Sequence, residues 1–121
     1  MEDTRLWSFE HSLWTEGAEN YREKVDQDVL MVLPKPPFVF TGEAAIDAVA
    51  GTPVWDSAEL SERHVSRPQE GLIAIAYMVH AQRGDEVYEA HCTSVIRRLS
   101  HEQWRVVQHQ QTPTLTKPLS A

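Results

Sequence analysis

The stretch from Leu72 to Arg98 limits the fold more than any other part of the chain. Leu72 to Gln82 is strongly apolar, which suits a buried central strand. Arg83-Gly84-Asp85-Glu86 follows, and then Val87 to Arg98. Gly before Asp suits a two-residue type II′ turn, whose first central residue needs a positive φ. With Gly84–Asp85 as the turn, residue 83 pairs with 86, 81 with 88 and 77 with 92. Side chains alternate across a strand, so Tyr77, Val79, Ala81, Tyr88, Ala90, Cys92 and Ser94 share one face. Met78, His80, Glu89, His91 and Thr93 share the other. Gln103 to Gln111 reads as the next strand. A four-residue loop from Leu99 to Glu102 would add Arg105, Val107, His109 and Gln111 to the first face. It would add Trp104, Val106, Gln108 and Gln110 to the second. A bulge, or one residue more or fewer in the loop, reverses that assignment.

The first third has a different period. Leu6, Glu10, Leu13, Gly17 and Tyr21 fall at helical spacing, with Trp7, Trp14 and Ala18 beside them. Gly17 weakens this helix and marks either a bend or a close approach. Val29 to Leu33 reads as a short buried strand stopped by Pro34. Gly42 to Ala50 reads as a short helix ended by Gly51 and Pro53. Val54 to Val65 alternates only in part and carries charge, as an edge strand does. Helices come first and an antiparallel meander follows. The expected class is therefore α+β, with helices packed on one face of a curved sheet. A chain of 121 residues holds one domain. We place it at residues 1–113, with 114–121 as a flexible tail.

Charge narrows the partners. Eighteen Asp and Glu outweigh eleven Lys and Arg, a net charge of −7. A phosphate-backbone binder needs a basic face, so nucleic acid and anionic membrane are disfavoured. The longest apolar run, Leu72 to Val79, is far short of the roughly 20 residues of a membrane helix. The single cysteine, Cys92, can form no internal disulfide and fits a reducing compartment. No secretory signal is visible at the acidic start, and a cytoplasmic location is expected.

Several segments resemble one superfamily. Leu6-Trp7-Ser8-Phe9-Glu10 with Leu13-Trp14 looks like the opening of nuclear transport factor 2-like (NTF2-like) proteins, in particular small SnoaL-like or ketosteroid-isomerase-like domains. Thr41-Gly42-Glu43-Ala44-Ala45-Ile46 resembles their G-x-x-A-I helix. Trp104 to Pro113 resembles their last strand. The resemblance implies a cone-shaped, cystatin-like roll with a pocket between helices and sheet. It also implies a homodimer paired through the outer sheet face. It implies no single activity, because this fold carries isomerases, dehydratases, hydrolases, ligand binders and assembly domains. The chain departs from the ketosteroid isomerase pattern, since no Tyr with paired Asp residues can be matched. It departs from kinase association domains too: Tyr77-Met78-Val79-His80 stands where they place arginines.

The candidate site residues follow from the two periodicities. Glu10 lies in an apolar helical stripe, where a carboxyl is costly unless it is hydrogen-bonded. Burial would raise its pKa and suit it to general acid/base work; equally, it could order the core. On the first sheet face, Tyr77, Cys92, Ser94, His109 and Gln111 form a polar cluster in apolar surroundings, as a ligand site does. Glu10 and His109 are the expected acid/base pair, with Tyr77 orienting or donating. Trp14, Met31, Trp55, Cys92, Ser94 and Gln111 are the expected ligand contacts. Cys92 could be a nucleophile only with His109 as base; otherwise it is a small buried hydrophobe. No metal-ligand spacing is present and no cofactor is expected. The expected function is binding of a small organic molecule in an apolar pocket, with cofactor-free isomerase, dehydratase or hydrolase chemistry. The alternative is a non-catalytic dimerisation or assembly module using His80, His91, Trp104 and Gln108.

Overall fold

The computed structural model describes residues 1–115. Its elements are α1 (Asp3–Thr15), α2 (Ala18–Lys24), β1 (Val25–Val32), β2 (Val39–Thr41), α3 (Gly42–Ala50), β3 (Ser57–Gln69), β4 (Leu72–Arg83), β5 (Glu86–Ser100) and β6 (Gln103–Pro113). One six-stranded sheet runs β2-β1-β6-β5-β4-β3. All its pairs are antiparallel except β1 with β6. The helices lie on one face, and this is the expected α+β class.

The helix breaks where Gly17 predicted a bend. Glu16 and Gly17 are extended, and α2 starts at Ala18. Two donors of α2 reach back to Ser12 of α1, whose carbonyl also accepts the Glu16 N–H at 2.9 Å. Asn20 Nδ2 reaches the Ser12 carbonyl at 3.2 Å, and Lys24 Nζ reaches Ser12 Oγ at 2.7 Å. The buried face of α1 holds Leu6, Trp7, Glu10 and Trp14.

The β4–β5 hairpin has the predicted register, Arg83↔Glu86, Ala81↔Tyr88 and Tyr77↔Cys92. Gly84 has φ +58°, as the turn demands. Gly42 also needs to be glycine: it opens α3 at φ +57°, and a Cβ there would lie 3.1 Å from the Gln27 carbonyl oxygen.

Three expectations change. β1 begins at Val25 and pairs in parallel with β6, a long-range pairing outside the expected meander. It is also only half buried, because Leu30 and Val32 face outward. The edge strand β3 starts at Ser57 and runs to Gln69, with register shifts between Ser61 and His64 and between Ser66 and Gln69. Such extra residues bend a strand. β3 curls over α1, where His11 Nε2 meets the Ala58 carbonyl at 2.9 Å and Arg67 pairs with Asp3 at 2.8 Å.

The last hairpin differs most. Arg97↔Arg105 and Ile96↔Val106 are followed by Val95↔Gln108, so Val107 is an extra, bulged residue. Leu99 is extra on the facing strand, between Arg98↔Trp104 and Ser100↔Gln103. The two irregularities cancel beyond Val107, and Ser94↔His109 and Cys92↔Gln111 fall on the expected inner face. Between them the faces are reversed. Val106 is buried, Arg105 stands opposite Arg97, and Trp104 lines a groove with Ser8 and Phe9 of α1 rather than the outer sheet face. Of the expected tail, residues 116–121 lie outside the described residues. Thr114 N–H donates to the Glu89 carbonyl at 3.2 Å.

The bulge can be tested by truncation. Val106→Ala should cost about 2 kcal/mol and Val107→Ala less than about 1 kcal/mol, read from urea midpoints. The reverse order would restore the unbulged register.

Candidate functional site

The helix and the sheet meet at a carboxyl group. Glu10 of α1 is fully buried. Its Oε2 accepts hydrogen bonds from Tyr77 Oη of β4 at 2.6 Å and from Ser94 Oγ of β5 at 2.7 Å. Trp14 Nε1 donates to Tyr77 Oη at 3.0 Å. Ser94 Oγ lies 2.8 Å from Nδ1 of His109 on β6. Gln111 Nε2 lies 3.1 Å from His109 Nε2, and Tyr88 Oη donates to Gln111 Oε1 at 2.9 Å. Glu10 and His109 thus meet on the inner side of the sheet, with Oε2 and Nδ1 3.9 Å apart. Glu10 Oε1 has no hydrogen-bond partner.

Burial governs the charges. Desolvation raises the pKa of Glu10, and the hydrogen bonds from Tyr77 and Ser94 offset this only in part. Desolvation also lowers His109 from 6.5 to about 4, against the opposing pull of the Thr93 backbone. Both groups therefore favour their neutral forms. Burial pushes the Cys92 thiol well up, with the nearby Glu10 adding to the effect. A thiol held protonated is a poor nucleophile.

A cavity of about 350 Å³ opens beside this chain. Its wall includes Glu10, Leu13 and Trp14 of α1, Val25, Val106, His109 and Gln111 of the sheet, and Ala48 to Ala50 of α3. Trp55 and Tyr88 stack at 5.8 Å between ring centres, and the Arg83 guanidinium lies 4.2 Å from the Trp55 ring centre. Lys35, Arg83, Glu16 and Glu86 bring charge to the wall. Pro34 and Lys35, which follow β1, also lie at the cavity.

The expected site residues divide in two. Glu10, His109, Trp14, Trp55 and Gln111 line the cavity. Tyr77, Met31, Cys92 and Ser94 are buried but are not part of its wall. Tyr77 and Ser94 stand behind Glu10 as donors, and Met31 accepts from Tyr21 Oη at 3.6 Å. The wall residues that sequence reasoning missed are chiefly Arg83, Lys35 and the end of α3. Ala48, Val49 and Ala50 carry no polar signal, and a charged residue beside a turn gives none. Tyr88 was readable from strand alternation. Among the described residues, no group of three or more His, Cys, Asp or Glu side chains could hold a metal ion. No helix among them is long and apolar enough to cross a membrane.

No protein-family model and no curated protein matches the sequence. Solved structures do match the fold. A ketosteroid isomerase-like protein from Parabacteroides distasonis superposes with a TM-score of 0.79 at 21% identity, over 92% of this chain and 86% of the other. An NTF2-like protein of unknown function in nutrient uptake from Rhodospirillum rubrum gives 0.74 at 15% identity, over 94% and 100%. The association domain of C. elegans CaMKII gives 0.72 at 12% identity, over 90% of each chain. The chain therefore has the NTF2-like fold, a cone of helices held against a bent sheet.

The pairing of Glu10 with His109 has a signature in stability. Unfolded, they titrate near 4.5 and 6.5. Folded, Glu10 keeps its proton above 4.5, and His109 stays unprotonated down to about 4. From pH 4.5 upward the unfolded chain has lost the Glu10 proton, which destabilises the fold with rising pH. Up to pH 6.5 the unfolded chain still binds a proton on His109, which acts in the opposite sense, so the two slopes cancel while Glu10 stays protonated. Glu10→Gln removes one side of the balance. Its stability relative to wild type should rise with pH from 4.5 upward for as long as folded wild type keeps the Glu10 proton. His109→Gln should instead lose stability relative to wild type as pH rises from about 4 to 6.5, by up to about 1.4 kcal/mol per unit. Urea midpoints at three pH values decide it, and parallel slopes in all three proteins would mean that neither group is shifted.

Proposed function

We propose that this protein binds a small, mostly apolar organic molecule in the cavity and acts on it by cofactor-free general acid/base chemistry. One observation carries the reading: a connected hydrogen-bond chain runs through residues of the cavity wall and leaves one buried oxygen, Glu10 Oε1, without a partner. Buried polar atoms are ordinarily paired, and leaving one unpaired costs about 1–3 kcal/mol. A cavity of this size lies in the range used by ligand sites. His109, at 7% exposure, is the more accessible of the two titratable groups. Glu10 is closed off from water, so a ligand reaches Oε1 only by shifting the side chains that cover it. His109 would then be the base that meets the ligand, with Glu10 and Tyr77 behind it. Cofactor-free isomerase, dehydratase and hydrolase chemistries can all use positioned acids and bases of this kind. The ketosteroid isomerase-like fold neighbour is consistent with this reading.

Freshly purified protein in native mass spectrometry should carry a small molecule that is lost on denaturation. Ala48→Phe, which fills the cavity from α3, should abolish that adduct. A wild-type spectrum without the extra mass counts against the ligand reading.

A second reading concerns assembly. The outer face at the β1–β2 edge exposes Leu30 by 47%, Val32 by 40% and Val39 by 58%, and Ala74, Ala76 and Met78 continue the face on β4. Apolar surface gathered on one sheet face suits an interface. Association domains are among the fold neighbours. On this reading the chain forms a homodimer through the outer sheet face, with His80, His91 and Gln108 within the contact. Leu30→Glu combined with Val32→Glu should convert the dimer to monomer in light scattering. A monomeric wild type at micromolar concentration rejects the contact.

A further inference from the structure

We infer that His109 Nε2 is an obligate hydrogen-bond acceptor, and that the cavity takes a mostly apolar molecule whose buried end carries a donor, a hydroxyl or an N–H. The inference rests on the ligand reading above and adds the polarity that such a ligand must have.

The direction of the chain follows from counting protons. Trp14 Nε1–H donates to Tyr77 Oη, so the Tyr77 proton goes to Glu10 Oε2. Ser94 has one hydroxyl proton and gives it to the same oxygen. An oxygen that accepts twice does not also carry the carboxyl proton, so that proton sits on Oε1. With its own proton spent, Ser94 can only accept from His109 Nδ1, 2.8 Å away. Nδ1 must therefore carry the N–H. A neutral imidazole has one N–H, which leaves Nε2 with a lone pair.

Gln111 agrees from the other side. Its Nε2 lies 3.1 Å from His109 Nε2, and the Tyr88 hydroxyl donates to its Oε1. That bond fixes the amide with its NH₂ toward the imidazole. The Gln111 amide thus marks where a ligand donor would sit. Gln111 is only half-buried and belongs to the cavity wall, so it has room to swing aside. A ligand ending in a carbonyl would set lone pair against lone pair. It would displace Gln111 and leave Nε2 unpaired, and sites built on a hydrogen bond reject analogues that cannot make it. Trp14, Trp55, Leu13 and Val49 surround the remainder of the ligand with apolar surface.

The probe pair is 1-tetralol and 1-tetralone, one skeleton with a hydroxyl or a carbonyl. Each is titrated into the full chain and followed by NMR, with the histidine ring nitrogens labelled. The alcohol should bind at least about tenfold more tightly than the ketone, and His109 should show its proton on Nδ1. Ser94→Ala removes the acceptor of Nδ1–H. The proton should then shift toward Nε2, and the preference for the alcohol should fall to less than about threefold. Equal binding of both probes, or a preference for the ketone, overturns the inference and leaves the ligand reading standing. Binding of neither probe beyond the level of Ala48→Phe overturns both. A wild-type His109 protonated on Nε2 overturns the inference whatever the probes do, and this holds even if Ser94→Ala does not fold.

Discussion

A carboxyl group on the buried face of a helix has to find its donors in the neighbouring layer. Glu10 finds them on adjacent strands: Tyr77 of β4, Ser94 of β5 and, through Ser94, His109 of β6. One helical residue thus ties α1 to three strands at fixed positions. Apolar packing alone would let a helix slide or rotate over a sheet at modest cost, whereas this contact admits one register. Each bond adds only about 0.5–1.5 kcal/mol net, and burying the carboxyl costs more than one such bond returns. The constraint therefore specifies the arrangement more than it stabilises it. The raised pKa of Glu10 limits the cost, because a neutral carboxyl is far cheaper to bury than a charged one.

Local chemistry made part of the fold legible. The β4–β5 register follows from two residues, Gly84 and Asp85, since the turn type fixes every pair beyond it. Gly42, Gly51 and Pro53 frame α3 in the same local way. The β5–β6 register depends on Leu99 and Val107, one extra residue on each strand. Nothing in the identity of either residue marks a bulge. His109 and Gln111 fell on the expected face because the two shifts sum to an even change, while Val106 and Trp104 fell on the wrong one. The parallel pairing of β1 with β6 joins the two ends of the domain and leaves no trace in any short window.

The site was legible to the same degree. Glu10 stood out because it breaks an apolar stripe, a conflict between pattern and chemistry visible in one helix. Strand alternation assigned Tyr77, Ser94, Cys92, His109 and Gln111 to one face, and that is all alternation can do. It does not tell how far along the strand the helices cease to cover it. Tyr77 and Ser94 are held against Glu10 of α1, and Cys92 is buried opposite Tyr77, whereas His109 and Gln111 reach open space. Met31 is likewise on the correct side of β1 but sealed beneath Tyr21.

The unpartnered oxygen separates a structural network from a working one. A polar chain that only orders a core gains from closing on itself, and six of the side chains here do close: Trp14, Tyr77, Ser94, His109, Gln111 and Tyr88 are each paired. The exception among the buried side-chain atoms of the described residues is Glu10 Oε1. It sits on a residue of the cavity wall, where the missing partner need not come from the chain itself. The cost of that orphan group is borne beside the cavity, where a molecule that shifts the covering side chains can relieve it. A purely structural role would place the same cost deeper in the core, where nothing could.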